Sequence, residues 1–415
     1  MKLRKVGAIA AIGVLVLAGC NQGGTSGGTK GTINIGIELP QQGSELASTQ
    51  PEINGIKLAV KDAGNAAGGW TIDIPNSVVL DDAKDGVHDP QTGAQNMQAL
   101  AANPNVVAVI GPQNSGVAKV QIPISNAAGL LQCSAANTNE GLTKPEFGAL
   151  DIRKTNPTKI NYVRVVTTDD YQGPAAARYI LQNLKLKTVY IIDSTDTFGK
   201  GIADNFQKYF EANGGTVVAR DGAPKTTTDY TALLTAAKSK NPAAIYYGGV
   251  TADGAARVLK TAVQLGLNVP FVGPDGIYDG SVKTKDSFLN LAGDDAKLAI
   301  ATAAAVGDFP GRADFAAKYK AAYNTDPTGY AATAYACAQV VLDAMKRAGP
   351  TATDAKDLRE KLRAAAVDPS ITYTSVIGAF KFDANGDTSQ KIISFYAYDA
   401  TSQDWSFKEQ LDFAK

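Results

Sequence analysis

Residues 106–138 read VVAVIGPQNSGVAKVQIPISNAAGLLQCSAANT, and this stretch decides the fold. Val106 to Ile110 is a short apolar, β-branched run, a helical stretch opens at Val117, and Leu130 to Ser134 is a second short apolar run. Two such runs joined through a helix make one βαβ crossover of a parallel sheet. Ser115 and Gly116 then sit where a strand ends and a helix begins, a place that offers free N–H donors and a partial positive charge to an anionic group.

The same alternation continues upstream and downstream. Ile33 to Leu39 and Ser77 to Asp81 read as further strands, with helices at Glu52 to Asp62, where Ile53, Ile56 and Val60 share one stripe, and at Thr92 to Ala101. Beyond the loop around Asn156 a second block follows, with strands at Thr188 to Asp193, Thr216 to Arg220, Ala244 to Tyr247 and Pro270 to Val272. Its helices are Gly173 to Leu184, Gly199 to Ala212, Asp229 to Ser239 and Asp253 to Leu265. The predicted fold class is α/β, with two doubly wound parallel-sheet lobes. A length of 415 residues agrees, because one core stops growing at roughly 250 to 300 residues. Ligands of such sheets bind beyond the carboxyl ends of the strands.

The tail differs in kind. Helices around Tyr330 to Arg347 and Asp354 to Ala364 precede Phe380 to Phe382 and Ile392 to Tyr398, a pair that reads as a hairpin turning at Asn385-Gly386. The oxygens of Asp383, Asn385 and Asp387 do not make a calcium loop, since the glycine falls at the fourth place and Ser394 stands where a bidentate glutamate belongs.

The start of the chain is an address. Lys2, Arg4 and Lys5 precede the apolar run from Val6 to Leu17, which is too short for a settled membrane span and fits a secretory signal. From Asn21 to Gly31 the chain is mostly glycine, threonine and serine, the composition of a solvated tether. Without the three basic residues of the signal, 37 basic side chains face 40 acidic ones, so a nucleic-acid partner is not expected. One histidine, His88, serves the whole chain, which leaves little material for metal sites or general-base catalysis. There is no G-x-S-x-G elbow, H-E-x-x-H helix or complete phosphate loop, and neither an enzyme, a cofactor nor a metal is expected. Export to an oxidising space would permit Cys133 and Cys337 to pair, but sequence does not place them within bonding distance, and they are read as two buried free thiols.

Leu17-Ala18-Gly19-Cys20 resembles the lipobox of bacterial lipoproteins, which implies cleavage before Cys20 and a lipid on that residue. The body resembles the branched-chain amino-acid binding proteins, the leucine/isoleucine/valine-type substrate-binding components of ABC transporters with a type I periplasmic binding protein fold. The resemblance is carried by residues 109–116 and 131–138, quoted above. It continues in Asn54-Gly55-Ile56-Lys57-Leu58-Ala59-Val60, Tyr171-Gln172-Gly173-Pro174, Phe198-Gly199-Lys200-Gly201, Tyr246-Tyr247-Gly248-Gly249 and Gly273-Pro274-Asp275-Gly276. It implies that Ser115, Ala136 and Thr138 hold a ligand carboxylate and that Asp275 faces its ammonium, with Asp169 a further residue close to the ligand. Phe198 and Tyr247, with Tyr278, are expected to wall the pocket. Ser48, Phe198 and Val250 stand where the leucine-type pattern has aromatics, and Lys84 and Asn114 where the best-known members have a disulfide.

The resemblance also implies three crossings between lobes, near Val166 to Asp169, Ala301 to Val306 and Ser375 to Gly378. The expected division is a signal and lipobox at 1–20, a tether at 21–31, lobe 1 at 32–166 plus 302–375, and lobe 2 at 167–301 plus 376–415. The expected role is capture of an amino acid, branched-chain or otherwise apolar, by a monomer anchored outside the cytoplasm and served by an ABC permease and ATPase. The rival readings are an amide, urea-like or aromatic acid ligand, or a ligand-sensing receptor component.

Overall fold

The computed structural model describes residues 29–414. The expected signal peptide, Cys20 and residues 21–28 of the expected tether lie outside the described residues. In chain order the first strands are β1 (Thr32–Glu38), β2 (Ala66–Ala67), β3 (Trp70–Asp73), β4 (Val79–Leu80), β5 (Ala83–Lys84), β6 (Val87–His88), β7 (Val106–Ile110), β8 (Leu131–Ser134) and β9 (Tyr162–Arg164). One sheet has the order β2-β3-β1-β7-β8-β9, with β4 also on β1; all its pairings are parallel except that of β2 with β3. All of β7 is buried, because a parallel sheet is covered on both faces and its strands need no polar side. Helices Leu46–Asp62 and Ala331–Ala348 supply the main core on one face, and Met97 and Leu100 of helix Pro90–Ala102 pack on the other.

The second lobe contains β10 (Thr188–Asp193), β11 (Thr216–Gly222), β12 (Ala244–Gly248), β13 (Phe271–Gly273) and β14 (Ala299–Ala303). A hairpin of β15 (Tyr373–Ser375) and β16 (Gly378–Phe380) follows, then β17 (Ile392–Asp399) and β18 (Asp404–Asp412). The second sheet runs β11-β10-β12-β13-β14-β17-β18, parallel up to β14 and antiparallel beyond it. Two α/β lobes result, as the alternation of strands and helices predicts, but their sheets are mixed rather than wholly parallel, because β2 pairs with β3, β14 with β17 and β17 with β18 in antiparallel fashion.

Three departures concern the tail and the cysteines. Phe380 to Phe382 does not pair with Ile392 to Tyr398: Phe380 lies in β16, β17 pairs with β14 and β18, and the Asn385-Gly386 turn is closed locally, by a bridge between Phe382 and Thr388 and by the Asp383 N–H donated to Asp387 O at 2.9 Å. The turn residues have another task, since the buried Asp387 carboxylate accepts from Arg164 Nε at 2.6 Å. The segment near Gln390 to Ile392, not 375–378, meets the first two expected crossing segments. There the Thr167 hydroxyl donates to Ile392 O at 3.0 Å, while Thr167 N–H donates to Ala304 O at 2.8 Å. Ile377, Phe380 and Phe382 accordingly pack in the core of the first sheet, not in lobe 2. Finally, Cys133 and Cys337 form a disulfide with Cα atoms 5.9 Å apart, which corrects the reading as free thiols. The helix Ala331–Ala348 carries Cys337 across the sheet to the end of β8, a juxtaposition that a separation of 204 residues conceals.

Candidate functional site

The carboxyl ends of both sheets face each other. From lobe 1 come the loop after β7, with helix Ser115–Ala127 behind it, and the loop after β8; from lobe 2 come the loops after β10, β12 and β13. The first loop turns sharply because Gly111 adopts a φ of +128°, and a Cβ there would stand 1.9 Å from Glu38 O. Only glycine lets the chain leave β7 so close to β1. Between the lobes lies a cavity lined by Glu45, Ser48, Gln113 and Asn114 on one side, by Val250, Thr251, Asp275, Tyr278 and Asp279 on the other, and by Tyr330. No lysine or arginine is among its lining residues.

Asp275 opens a short turn after β13 and is buried. Its Oδ1 accepts from Gln172 Nε2 at 2.7 Å, and Tyr330, whose hydroxyl accepts Ala304 N–H at 3.2 Å, faces the same carboxyl. Burial pushes this carboxyl up to about 6, partly offset by the hydrogen bonds from Gln172 and Tyr330. Asp169, first residue of helix Asp169–Arg178, is fully buried, and neither of its oxygens has a hydrogen-bond partner of normal geometry in the protein, although the Thr138 hydroxyl lies alongside. Burial, Glu140 and Asp275 together hold its carboxyl well above the usual range. Asp275 and Asp169 are costly unless protonated or met by a ligand that supplies donors, since Arg164, the cation that lowers the Asp169 carboxyl, is already paired with Asp387.

Ser115 is the first helical residue and not the cap, which is Asn114; the Ser115 hydroxyl accepts Asn139 N–H at 3.4 Å. The Thr138 hydroxyl and Asn114 Oδ1 are buried without partners. Ala136 is buried in the loop after β8, with its N–H donated to Ser134 Oγ at 3.2 Å. Arg164, at the end of β9, holds this loop from below by donating to Asn137 O at 3.2 Å and Asn139 O at 2.7 Å, and it donates to Thr143 Oγ1 as well.

The sequence-derived set is therefore distributed. Ser48, Asp275 and Tyr278 line the cavity, and Ser115, Ala136, Thr138 and Asp169 form the buried polar layer beside it. Phe198 and Tyr247 do not line it: Phe198 is buried on helix Thr197–Ala212, and Tyr247 stacks on Phe271 in the second core with ring centroids 5.8 Å apart. Sequence reasoning missed Tyr330 and Gln172. Gln172 stands in a quoted motif, Tyr171-Gln172-Gly173-Pro174, but nothing in that motif points at Asp275, which lies 103 residues away. A roomier cavity near the crossings, bounded by Phe309, Arg312 and Tyr396, shares Tyr278 and Tyr330 with the interlobe one. Among the residues lining the interlobe cavity, Gln113, Asn114 and Asp279 each keep a buried polar atom without a partner.

The lobes are in contact around this cavity. Asn139 Nδ2 donates to Thr197 O at 3.1 Å, Asn205 Nδ2 donates to Glu140 Oε1 at 2.9 Å, and Lys144 pairs with Asp170 at 2.5 Å.

Comparison with known proteins gives the same architecture. The Leu/Ile/Val-binding protein BraC3 of Rhizobium johnstonii is 29% identical over 368 residues, 89% of this chain and 92% of that protein. The crystal structure of a leucine binding protein, LivK, from Thermotoga maritima superposes with a TM-score of 0.77 at 23% identity, covering 92% of this chain and 99% of that one. A solute binding protein of R. palustris in complex with benzoate superposes with a TM-score of 0.76 at 19% identity, covering 92% and 98%. The sequence signature of a family described as periplasmic binding protein spans residues 32–403, and with the two-lobed fold and the cavity at its strand ends it shows that the chain belongs to the periplasmic binding protein family.

Proposed function

We propose that this extracytoplasmic solute-binding protein captures an α-amino acid between its lobes and delivers it to an ABC permease and ATPase. The observation that carries this reading is the pair of buried acids, Asp169 and Asp275, beside a cavity lined by no cationic residue. An ammonium suits Asp275, and a carboxylate suits the helix start at Ser115 together with the Thr138 hydroxyl. Benzoate, bound by one structural relative, has no donor to offer Asp275. The side chain would lie against Val250 and Tyr278, as a branched aliphatic group can. Ser48, Thr251 and Asp279 on the same walls favour, as a second reading, a small side chain ending in a hydroxyl or amide.

Both lobes contribute to this set, so ligand binding favours the closed arrangement, with the crossings at Thr167, Ala304 and Ile392 serving as the hinge. The transporter then has a loaded state to distinguish from an empty one.

The raised pKa of Asp275 sets a pH dependence. Its carboxyl titrates at about 6 without ligand, and an ammonium binds the ionised form. Binding below that pH must release a proton, so affinity is expected to be level above about pH 7 and to weaken by about tenfold per unit below about pH 6. Calorimetric titrations at three pH values check this, and an affinity constant from about pH 5 to pH 8 contradicts the role of Asp275.

Cys20 is proposed to carry the lipid that holds the protein at the membrane. Mass spectrometry of the native N-terminus should find an acylated Cys20, and Cys20→Ala should release the protein from membranes. An unmodified Cys20 in membrane-bound protein contradicts this.

A further inference from the structure

Next to the ligand cavity the lobes meet through a second group of buried side chains. His88 ends β6, and Glu45 ends the short turn Gly43–Glu45; both belong to lobe 1. Asp196 caps helix Thr197–Ala212, and Asp253 ends the turn Thr251–Asp253; both belong to lobe 2. We propose that His88, Asp196 and Asp253 form a divalent-cation site of the zinc type that bridges the lobes, with Glu45 as the residue that positions His88.

One ligand atom from each of the three lies within 4.8 Å of the others, and His88 Nε2 is 3.5 Å from Asp196 Oδ2. Ligand atoms on a tetrahedral zinc stand roughly 3.3 Å apart, so small side-chain shifts complete the site, with water in the fourth position. Two further observations point to a cation. Asp253 Oδ1 is buried without a partner while Oδ2 accepts Val250 N–H at 3.2 Å, which leaves one oxygen for a metal. His88 Nδ1 lies 2.5 Å from Glu45 Oε1, the carboxylate–imidazole pairing that fixes the tautomer of a metal-binding histidine and directs Nε2 to the metal. Lys225 donates its ammonium to the His88 carbonyl at 2.5 Å and so faces the backbone. Imidazole with carboxylates selects a zinc-like ion over calcium or magnesium, which prefer all-oxygen shells. Since each lobe supplies part of the set, the site is complete only when the lobes meet.

The test is metal uptake by tag-free protein stripped with EDTA and dialysed against zinc chloride, with zinc per chain measured by atomic emission. One zinc per chain is expected for the wild type. Asp196→Asn, at the least buried of the three ligands, should weaken binding by at least about tenfold, and Glu45→Gln by about tenfold to a hundredfold. His88 is the only histidine of the chain, so a cobalt-substituted sample should show an imidazole-ligated visible spectrum that His88→Gln removes. Circular dichroism identifies any variant that fails to fold, and Asp196→Asn and Asp253→Asn then stand in for it. Absence of saturable uptake by folded wild type, or unchanged affinity in folded Asp196→Asn, overturns the proposal.

Discussion

Replacing Asp275 with alanine is expected to raise the dissociation constant for the amino-acid ligand by roughly thirtyfold or more, the consequence of losing about 2–5 kcal/mol from a buried charge-assisted contact. The same substitution should leave the unliganded protein as stable as the wild type, or more stable, above about pH 6. The sign follows from the raised carboxyl: the folded state holds its proton up to about 6 against an ordinary value near 3.8. A group shifted upward contributes stability below its unfolded pKa and loses that contribution as pH rises through its folded one. At neutral pH the free protein thus carries a destabilising carboxylate, kept for binding. Titration calorimetry and thermal melts on one sample separate the effects, and parallel losses of affinity and melting temperature would mean that Asp275 is structural. Asp275→Asn tests charge apart from shape, and Gln172 can rotate to serve the new amide, so folding should be preserved.

The largest stability effect is expected at Arg164. This side chain is completely buried, paired with Asp387, and bonded to the carbonyls of Asn137 and Asn139. Burial alone would raise the Asp387 carboxyl, but the Arg164 guanidinium outweighs it and holds it below the usual range. Arg164→Met leaves a buried carboxylate unpaired and should cost about 3–5 kcal/mol. It should also weaken ligand binding, because the loop carrying Ala136 and Thr138 loses its support. The double variant Arg164→Met/Asp387→Leu removes both charges and should recover much of the stability. Chemical denaturation of the three proteins measures both expectations. An Arg164→Met variant as stable as the wild type would show that the pair contributes nothing.

Residues 106–138 illustrate what could be read from sequence. Their apolar runs are short, buried on both faces and set by local periodicity, so strand, loop and helix fell where the pattern puts them. The tail was harder because its partners are remote. β18 reads DWSFKEQLD, too polar to announce a strand, and it forms because β17 offers an edge. Asn385-Gly386 did make a tight turn, with Gly386 at a φ of +93°, but long-range demands decided what it joined. Arg164 claims Asp387, and β14 claims the segment after it. The site divided in the same way. Ser115, Thr138 and Asp275 lie just beyond strand ends, Ser115 as the first residue of a helix, where topology makes them visible in advance. Tyr330 comes from the start of a helix far along the chain, and Tyr247 belongs to the core because both faces of β12 are covered. The Cys133–Cys337 bond depends on the same kind of remote packing.

The binding of a zwitterion between the lobes is tested most directly by a calorimetric titration of the purified protein with L-leucine, L-isoleucine, L-valine, L-serine and L-asparagine, each beside its counterpart lacking the amino group. At least one amino acid is expected to bind one per chain, with its desamino counterpart weaker by roughly thirtyfold or more. A desamino acid or benzoate that binds as tightly as any amino acid would contradict the account.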